Sequence, residues 1–237
     1  MAMAPPREDD SIADTLVVAA GSGFCRDLAR LPLRHSGRVI CADAGIEACR
    51  RLGLSPDIVI GDMDSAPGPL IEWARRLGAC IRQYPADKDQ TDMELALDEA
   101  TALGSKVAVA TGVTGGRIDH TLANIDLCLC YARRGLNLAA VEEWGEIFFL
   151  AGRARSATIS GSVGDIVSLI PRCGSARAVR TCGLHYALDG DDLQYGVSRG
   201  VSNCMSGPIA HVQIDRGELM VVHVRAGQAG GGVCEEC

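Results

Sequence analysis

The chain has 237 residues, of which 47% are hydrophobic, with a net charge of −7 and a pI of about 5.2. That length builds one large domain or two small ones, and the apolar content is enough for a core without staples. No basic patch of the kind that neutralises a phosphate backbone is present, so nucleic acid is not expected as a partner.

Residues 1–13 are polar with two prolines and read as a flexible tail. Met1 to Asp10 lacks a charged-then-apolar leader pattern. No apolar run reaches membrane-spanning length. The eleven cysteines fall mostly in apolar runs such as Cys128-Leu129-Cys130. They read as reduced core thiols of a cytoplasmic protein. Cys234-Glu235-Glu236-Cys237 puts two thiols at a metal or redox spacing. Without a second pair, it reads as part of a loose tail.

Thr15 to Ala20 predicts a strand, Gly21-Ser22-Gly23 a tight turn, and Phe24 to Leu31 a helix. A lone Gly-x-Gly is explained as well by the turn as by phosphate binding. Arg38 to Ala42 is the next strand, ending at Asp43-Ala44-Gly45, and Ile46 to Leu52 a helix stopped by Gly53. Asp57 to Ile60 is a third strand and leads into Gly61-Asp62-Met63-Asp64-Ser65. Pro69 to Leu77 predicts a helix and Cys80 to Tyr84 a short strand, followed by the loop Lys88-Asp89-Gln90. Thr91 and Glu94 fit a capping box for a helix with Met93, Leu97, Ala100 and Leu103 on one face. Lys106 to Thr111 is a strand ending in Gly112-Val113-Thr114-Gly115-Gly116-Arg117-Ile118-Asp119-His120. A helix through Arg134 and a strand at Leu138 to Val141 complete this part.

Alternating strands and helices mark a mostly parallel sheet covered on both faces. After about Gly145 short β-rich runs take over: 147–150, 157–159, 166–170, 178–181, 209–214 and 219–224. The expected fold class is therefore α/β, a mostly parallel sheet domain followed by a small all-β domain, a sandwich or a barrel. The boundaries are 14–146 and 147–226, with flexible tails at 1–13 and 227–237.

The chemistry concentrates between Asp62 and Asp92. On an extended strand end, Asp62 and Asp64 face the same way. Two unit charges about 4 Å apart repel by about 4 kcal/mol at an effective dielectric near 20. Such a pair raises one pKa or recruits a cation. Magnesium suits carboxylate oxygens. Taken alone, Asp-x-Asp is also a solvated turn in which Asp64 or Ser65 caps the next helix. Further acids recur at strand ends: Asp43, Asp89, Asp92 and Asp119. Asp92 also suits a first helical turn. Lys88 can neutralise phosphate as a point charge or be plain surface charge. Gly115-Gly116-Arg117 lets backbone approach a ligand beside a fork-shaped donor. Asp119 can equally cap the following helix, and His120 can equally be packed.

Taken together, Asp-Ala-Gly, then Gly-Asp-x-Asp-Ser, Lys-Asp-x-Thr-Asp and Gly-Gly-Arg-x-Asp-His resemble the thiamine pyrophosphokinase family from Asp43 to Asn124. Thr181-Cys182-Gly183-Leu184 with Gly200-Val201-Ser202-Asn203 resembles that family's thiamine-contacting segment. The resemblance implies transfer of a pyrophosphoryl group from ATP to thiamine, giving thiamine diphosphate and AMP. It implies Mg2+ at Asp62, Asp64 and Asp92, with Lys88 and Arg117 as further catalytic groups. It implies ATP contacts from Asp43, Gly45, Asp89, Gly116 and Asp119, and thiamine contacts from Ser202 and Asn203. It also implies a nucleotide-binding α/β domain followed by a β-sandwich domain, and a homodimer whose active sites are shared between subunits. The family often stacks an aromatic residue on thiamine; Tyr195 is the nearest one upstream of Ser202-Asn203, and both tryptophans, Trp73 and Trp144, fall in the first domain. Two other readings use the same groups. One is another metal-dependent phosphohydrolase or nucleotidyltransferase; the other is a sensor that binds nucleotide or thiamine without turnover.

Overall fold

The computed structural model describes residues 12–227. The Cys234–Cys237 pair and most of both expected tails lie outside the described residues. The chain divides into two compact units. One runs up to Leu127 and includes Arg134–Glu143; the other comprises Cys128–Arg133 and the chain from Trp144 onward.

The first unit is built on six strands: β1 (Ala13–Val18), β2 (Leu33–Ala42), β3 (Ile58–Gly61), β4 (Cys80–Gln83), β5 (Val107–Thr111) and β6 (Asn137–Glu142). Their order is β6-β5-β1-β2-β3-β4, and each neighbouring pair is parallel. Leu16-Val17-Val18, Val39-Ile40-Cys41 and Ile58-Val59-Ile60 are buried runs without polar alternation. A sheet covered on both faces needs such runs. Four helices connect the strands: α1 (Gly45–Arg51), α2 (Gly68–Arg76), α3 (Asp92–Ala102) and α4 (Ile118–Arg133). Leu16, Val39, Ile46, Val59, Leu70 and Ala74 share one core. The chain steps from β1 out to β4, then returns to β5 on the other side of β1. That reversal is the switch point at which open α/β sheets bind ligands beyond the strands' carboxyl ends.

Two expectations in this unit need correction. Residues 24–31 do not form a helix; a single 3-10 turn spans Leu28–Arg30, with Asp27 accepting the Ala29 N–H. The reason is that the backbone here has distant partners. Phe24 bridges to Glu142, and the Cys25 N–H donates to Thr111 Oγ1 at 2.8 Å. In α3, Met93, Leu97 and Ala100 are buried, but Leu103 follows the last turn and is 47% exposed.

The second unit is antiparallel: β7 (Gly145–Ser160), β8 (Ile166–Pro171), β9 (Ala176–Cys182), β10 (Asp189–Leu193), β11 (Asn203–Cys204) and β12 (Ile209–Val224). The order is β10-β9-β12-β7, and β8 pairs with β12 and β11. The runs at 147–150 and 157–159 belong to one strand, as do those at 209–214 and 219–224. The register of β7 with β12 explains it. Pairing continues from Ile209↔Ser160 to Val224↔Gly145, and Gly217 pairs with Gly152. The glycines therefore mark a mid-strand bend, which sequence alone makes look like a turn. β10 escaped prediction because Asp189-Gly190-Asp191-Asp192 reads as a loop; the β9 register carries it as an edge strand. Ile159, Leu169, Val179, Leu193, Val212 and Val221 form this unit's core. Among the described residues no helix is long and apolar enough to cross a membrane, and the nine cysteines are free thiols.

Candidate active site

A cavity of about 460 Å3 opens at the carboxyl ends of β1, β2, β3 and β5. Asp43, Asp62, Asp64 and Asp92 line it, with Gly21, Gly112, Gly116, Arg117, His120 and Asn124 among its other walls. Asp43 follows β2, Asp62 follows β3 and Asp92 opens α3. One carboxylate oxygen from each of these three lies within 4.8 Å of the others.

Local backbone aims these acids. Asp43 takes a left-handed φ of 43° and Met63 one of 65°. Asp and Asn are the side chains most often found there, and such outliers cluster at ligand sites. Gly61 has φ 154° and sits where a Cβ would stand 2.9 Å from Asp43 Cβ and 3.0 Å from Asp92 Oδ1. Only glycine lets the two acids approach over this strand end.

The charges are unevenly compensated. Lys88 Nζ lies 2.8 Å from Asp62 Oδ2 and 3.2 Å from Asp92 Oδ1. The hydrogen bond from Lys88 holds the Asp62 carboxyl below its usual range, helped by the Asp64 N–H. Asp43 and Asp92 go the other way. Burial pushes both carboxyls up, and the neighbouring acids add to it at Asp43, whereas Lys88 opposes it at Asp92. Burial works against the Lys88 charge, but its bonds to Asp62 and Asp92 raise its pKa overall. Asp43 Oδ1 is buried with no hydrogen-bond partner among the described residues. Three clustered carboxylates with an orphaned oxygen are a donor set suited to a hard divalent cation.

Asp64 is exposed and bonds Ser65, so it lines the cavity outside this cluster. Asp89 is exposed and does not line the cavity. Gly45 is buried at the start of α1, where a Cβ would meet the Val18 carbonyl at 2.0 Å. Arg117 reaches the cavity with its guanidinium on Asp119, which holds that exposed carboxyl near 2. Asp119 also accepts the His120 N–H at 3.0 Å. His120 is exposed on the cavity wall.

No sequence motif points to Glu142. This fully buried residue ends β6, and its carboxylate accepts the backbone N–H groups of Gly112, Val113 and Thr114 at 3.3, 2.7 and 3.1 Å. Those residues form the loop after β5. The loop after β1 zips onto it through Gly21 N–H to Gly112 O at 2.8 Å and Gly23 N–H to Thr114 O at 3.2 Å. Asn124 braces it by donating to the Val113 carbonyl at 3.1 Å. Glu142 thus shapes the wall at the switch point. Burial raises its carboxyl to about 7 against the pull of the three N–H donors.

In the second unit Ser202 is exposed with a left-handed φ of 60°, and its N–H donates to Ser168 Oγ at 3.0 Å. Asn203 is buried, and both its side-chain oxygen and its amide nitrogen are engaged. It accepts the Tyr186 N–H at 3.0 Å, accepts the Cys204 N–H at 2.9 Å and donates to the Tyr186 carbonyl at 2.7 Å. Asn203 therefore fixes the backbone of Tyr186, a residue that is 60% exposed and whose ring stands edge-on to that of His185. Tyr195 is 63% exposed.

Two family models match the chain. Residues 30–140 match the thiamin pyrophosphokinase catalytic domain, and residues 157–219 match the thiamin pyrophosphokinase vitamin B1 binding domain. Together they span more than half of it. The chain belongs to the thiamin pyrophosphokinase family. The catalytic-domain match contains Asp43, Asp62, Asp64, Lys88 and Asp92, and ends two residues before Glu142. The B1-binding match contains Tyr186, Ser202 and Asn203. Among this family, thiamine pyrophosphokinase 1 of Oryza sativa subsp. japonica is 27% identical, over 93% of this chain and 91% of its own length. The Bacillus subtilis thiamine pyrophosphokinase is also 27% identical, over 69% of this chain and 76% of its own. The fold matches the crystal structure of the Bacillus subtilis family member with a TM-score of 0.79 at 23% identity, covering 89% of this chain and 98% of that one. It matches the thiamin pyrophosphokinase of Candida albicans with a TM-score of 0.70 at 14% identity, covering 89% of each.

Proposed function

We propose that the chain transfers a pyrophosphoryl group from ATP to the hydroxyethyl oxygen of thiamine, with Mg2+ as the metal, giving thiamine diphosphate and AMP. The observation that carries this reading is the convergence of Asp43, Asp62 and Asp92 beside Lys88, within the region that matches the family's catalytic domain. The thiamine oxygen forms a bond to the β-phosphorus of ATP. The bond from that phosphorus to the oxygen bridging the α-phosphate breaks, and AMP leaves with that oxygen. The thiamine hydroxyl proton is released in the process. Such transfer asks for alignment and charge neutralisation more than for covalent work by the protein.

Asp43, Asp62 and Asp92 would hold the ion, with Asp64 at its edge. The orphaned Asp43 oxygen and the all-carboxylate donor set fit this role. Bound there, Mg2+ would neutralise the charge on the transferring phosphates. Lys88 keeps Asp62 ionised and oriented. The Gly112–Gly116 loop would face its backbone to the nucleotide, and Arg117 would exchange Asp119 for phosphate oxygens. Gly45 would act in the ATP site by shaping it. Thiamine would contact Ser202 in the second unit, stacked on Tyr186, with Asn203 holding that tyrosine in place. We read the enzyme as a cytoplasmic homodimer.

The test is to incubate purified protein with ATP, Mg2+ and thiamine and to separate the products. AMP and thiamine diphosphate in equal amounts, both dependent on thiamine, are expected. Phosphate or ADP release that ignores thiamine would overturn the reading in favour of a phosphohydrolase. Tight ATP binding without AMP would favour a sensor.

A further inference from the structure

The second unit holds a hollow of about 420 Å3 that shares no residue with the acidic cavity. Arg153, Arg172, Arg177 and Arg216 line it. The path of β12 creates it. At Arg216 this strand still pairs with β9, and by Leu219 it pairs with β8. The two layers part between those positions.

The register then sets the charges. Arg216 stands directly opposite Arg153 on β7 and directly opposite Arg177 on β9. Paired positions on neighbouring strands share a face, and like charges so placed oppose one another. Three guanidiniums thus occupy one row across three adjacent strands. Arginine cannot relieve the conflict by losing a proton. The acids close by are already engaged. Asp192 binds Arg177 and the Ala178 N–H, and Glu218, on the wall of the hollow, accepts from Arg133 Nε at 2.8 Å. Arg153 and Arg216 make no ion pair among the described residues. In a chain with a net charge of −7, this is a local concentration of base at a concave surface.

We propose that this hollow is a second, non-catalytic binding site for a small phosphate-bearing anion, seated between Arg153, Arg177 and Arg216. Guanidinium forks match phosphate oxygens two at a time, and an anion set between them converts the row's repulsion into attraction. The volume lies in the range of small-molecule sites. This inference does not depend on the activity proposed above, because none of its residues belongs to that machinery.

Inorganic pyrophosphate is the probe, titrated calorimetrically into the full-length protein without divalent metal, so that the acid cluster disfavours it. Saturable binding that weakens with added salt is expected. The double variant Arg153→Ser/Arg216→Ser should lower that affinity by about tenfold or more. It should keep its ATP- and thiamine-dependent turnover and melt no lower than the parent, since a repulsive row has been removed. Equal binding by parent and variant, or no binding by the parent at millimolar pyrophosphate, would overturn the proposal. So would a change in sedimenting mass in the variant with pyrophosphate binding unchanged, because the row would then be a contact between copies of the chain.

Discussion

The Glu142 carboxylate and the Val113 amide are joined by a 2.7 Å hydrogen bond across 29 residues of sequence. Two more N–H groups of the same loop converge on that carboxylate, so one buried acid sets the position of three successive peptide units at the switch point. An ionised acceptor grips such donors harder than a neutral one.

Glu142 should therefore leave a mark on pH profiles. Burial raises its carboxyl from 4.5 in the unfolded chain to about 7 in the fold. A raised folded value means that the stabilising contribution is complete below about pH 4.5 and is lost as pH rises through about 7. The loss is on the order of 3 kcal/mol over that window. Activity should run the opposite way, rising through about pH 7 as the ionised form tightens the loop. Glu142→Gln removes the titrating group and one acceptor oxygen. We expect kcat/KM for ATP to fall about tenfold, and the inflection near neutral pH to vanish from both profiles. A variant that keeps the inflection would show that another group titrates there.

The acid cluster gives a prediction in which stability and activity separate. Asp43→Asn deletes one of three mutually repelling charges and leaves the packing alone. Without metal, the variant should melt a few degrees above the parent. Added Mg2+ should raise the parent's melting temperature by mass action and barely move that of the variant. Turnover should drop on the order of a hundredfold or more. Asp62→Asn should lose turnover similarly, but without the gain in melting temperature, since it also strips Lys88 of its nearer partner. Metal-dependent stabilisation that survives in Asp43→Asn would place the ion elsewhere.

How much of this was legible beforehand follows from where each signal lives. The parallel strands announce themselves because Val39-Ile40-Cys41 and Ile58-Val59-Ile60 are short, uninterrupted apolar runs followed at once by acids. Motif spacing picked out Asp62, Asp64 and Asp92, and all three line one cavity. Asp62 and Asp64 face the same way only where the backbone between them is extended. Met63 at φ 65° breaks that geometry, and Asp43 at φ 43° joins Asp62 and Asp92 in the cluster. Left-handed turns at non-glycine residues leave little trace in composition. Glu142 was illegible for a different reason. Its donors come from a loop that only tertiary folding brings to it, and Glu142-Glu143 reads locally as polar surface. Likewise, Phe24 to Leu31 has helical spacing, yet long-range partners claim its backbone.

His223 carries a prediction confined to the second unit. Its fully buried ring sits with Nδ1 3.2 Å from Glu146 and Nε2 2.9 Å from Asp165. Asp165 also accepts the N–H groups of Ala226 and Ser162. Burial works against the imidazolium, but bonds to the two acids raise its pKa above 6.5. A raised value means full stabilisation below about pH 6.5, lost as pH climbs through the folded value. Melting of the second unit should accordingly weaken on going from mildly acidic to alkaline pH. His223→Ala leaves Asp165 buried without its charged partner and should cost about 3–5 kcal/mol in denaturant titrations. A loss below about 1 kcal/mol would mean that the ring is neutral in the fold and that the triad is not an ionic one.

Asn203 separates holding from touching. Its side chain is spent on Tyr186 and Cys204, so it has little left for a ligand. Asn203→Ala should unfasten the Tyr186 backbone and lower stability by about 1–3 kcal/mol through the orphaned amide groups. If Tyr186 stacks on thiamine, Tyr186→Ala should raise KM for thiamine about tenfold with kcat for ATP-dependent turnover nearly unchanged, and Tyr186→Phe should restore it. Asn203→Ala should reproduce the KM effect, because it acts through the same ring. Ser202→Ala keeps the backbone and removes only the exposed hydroxyl, so it isolates direct contact. Steady-state kinetics on the four variants decide the matter. A KM change in Asn203→Ala without one in Tyr186→Ala would return the contact to Asn203 itself.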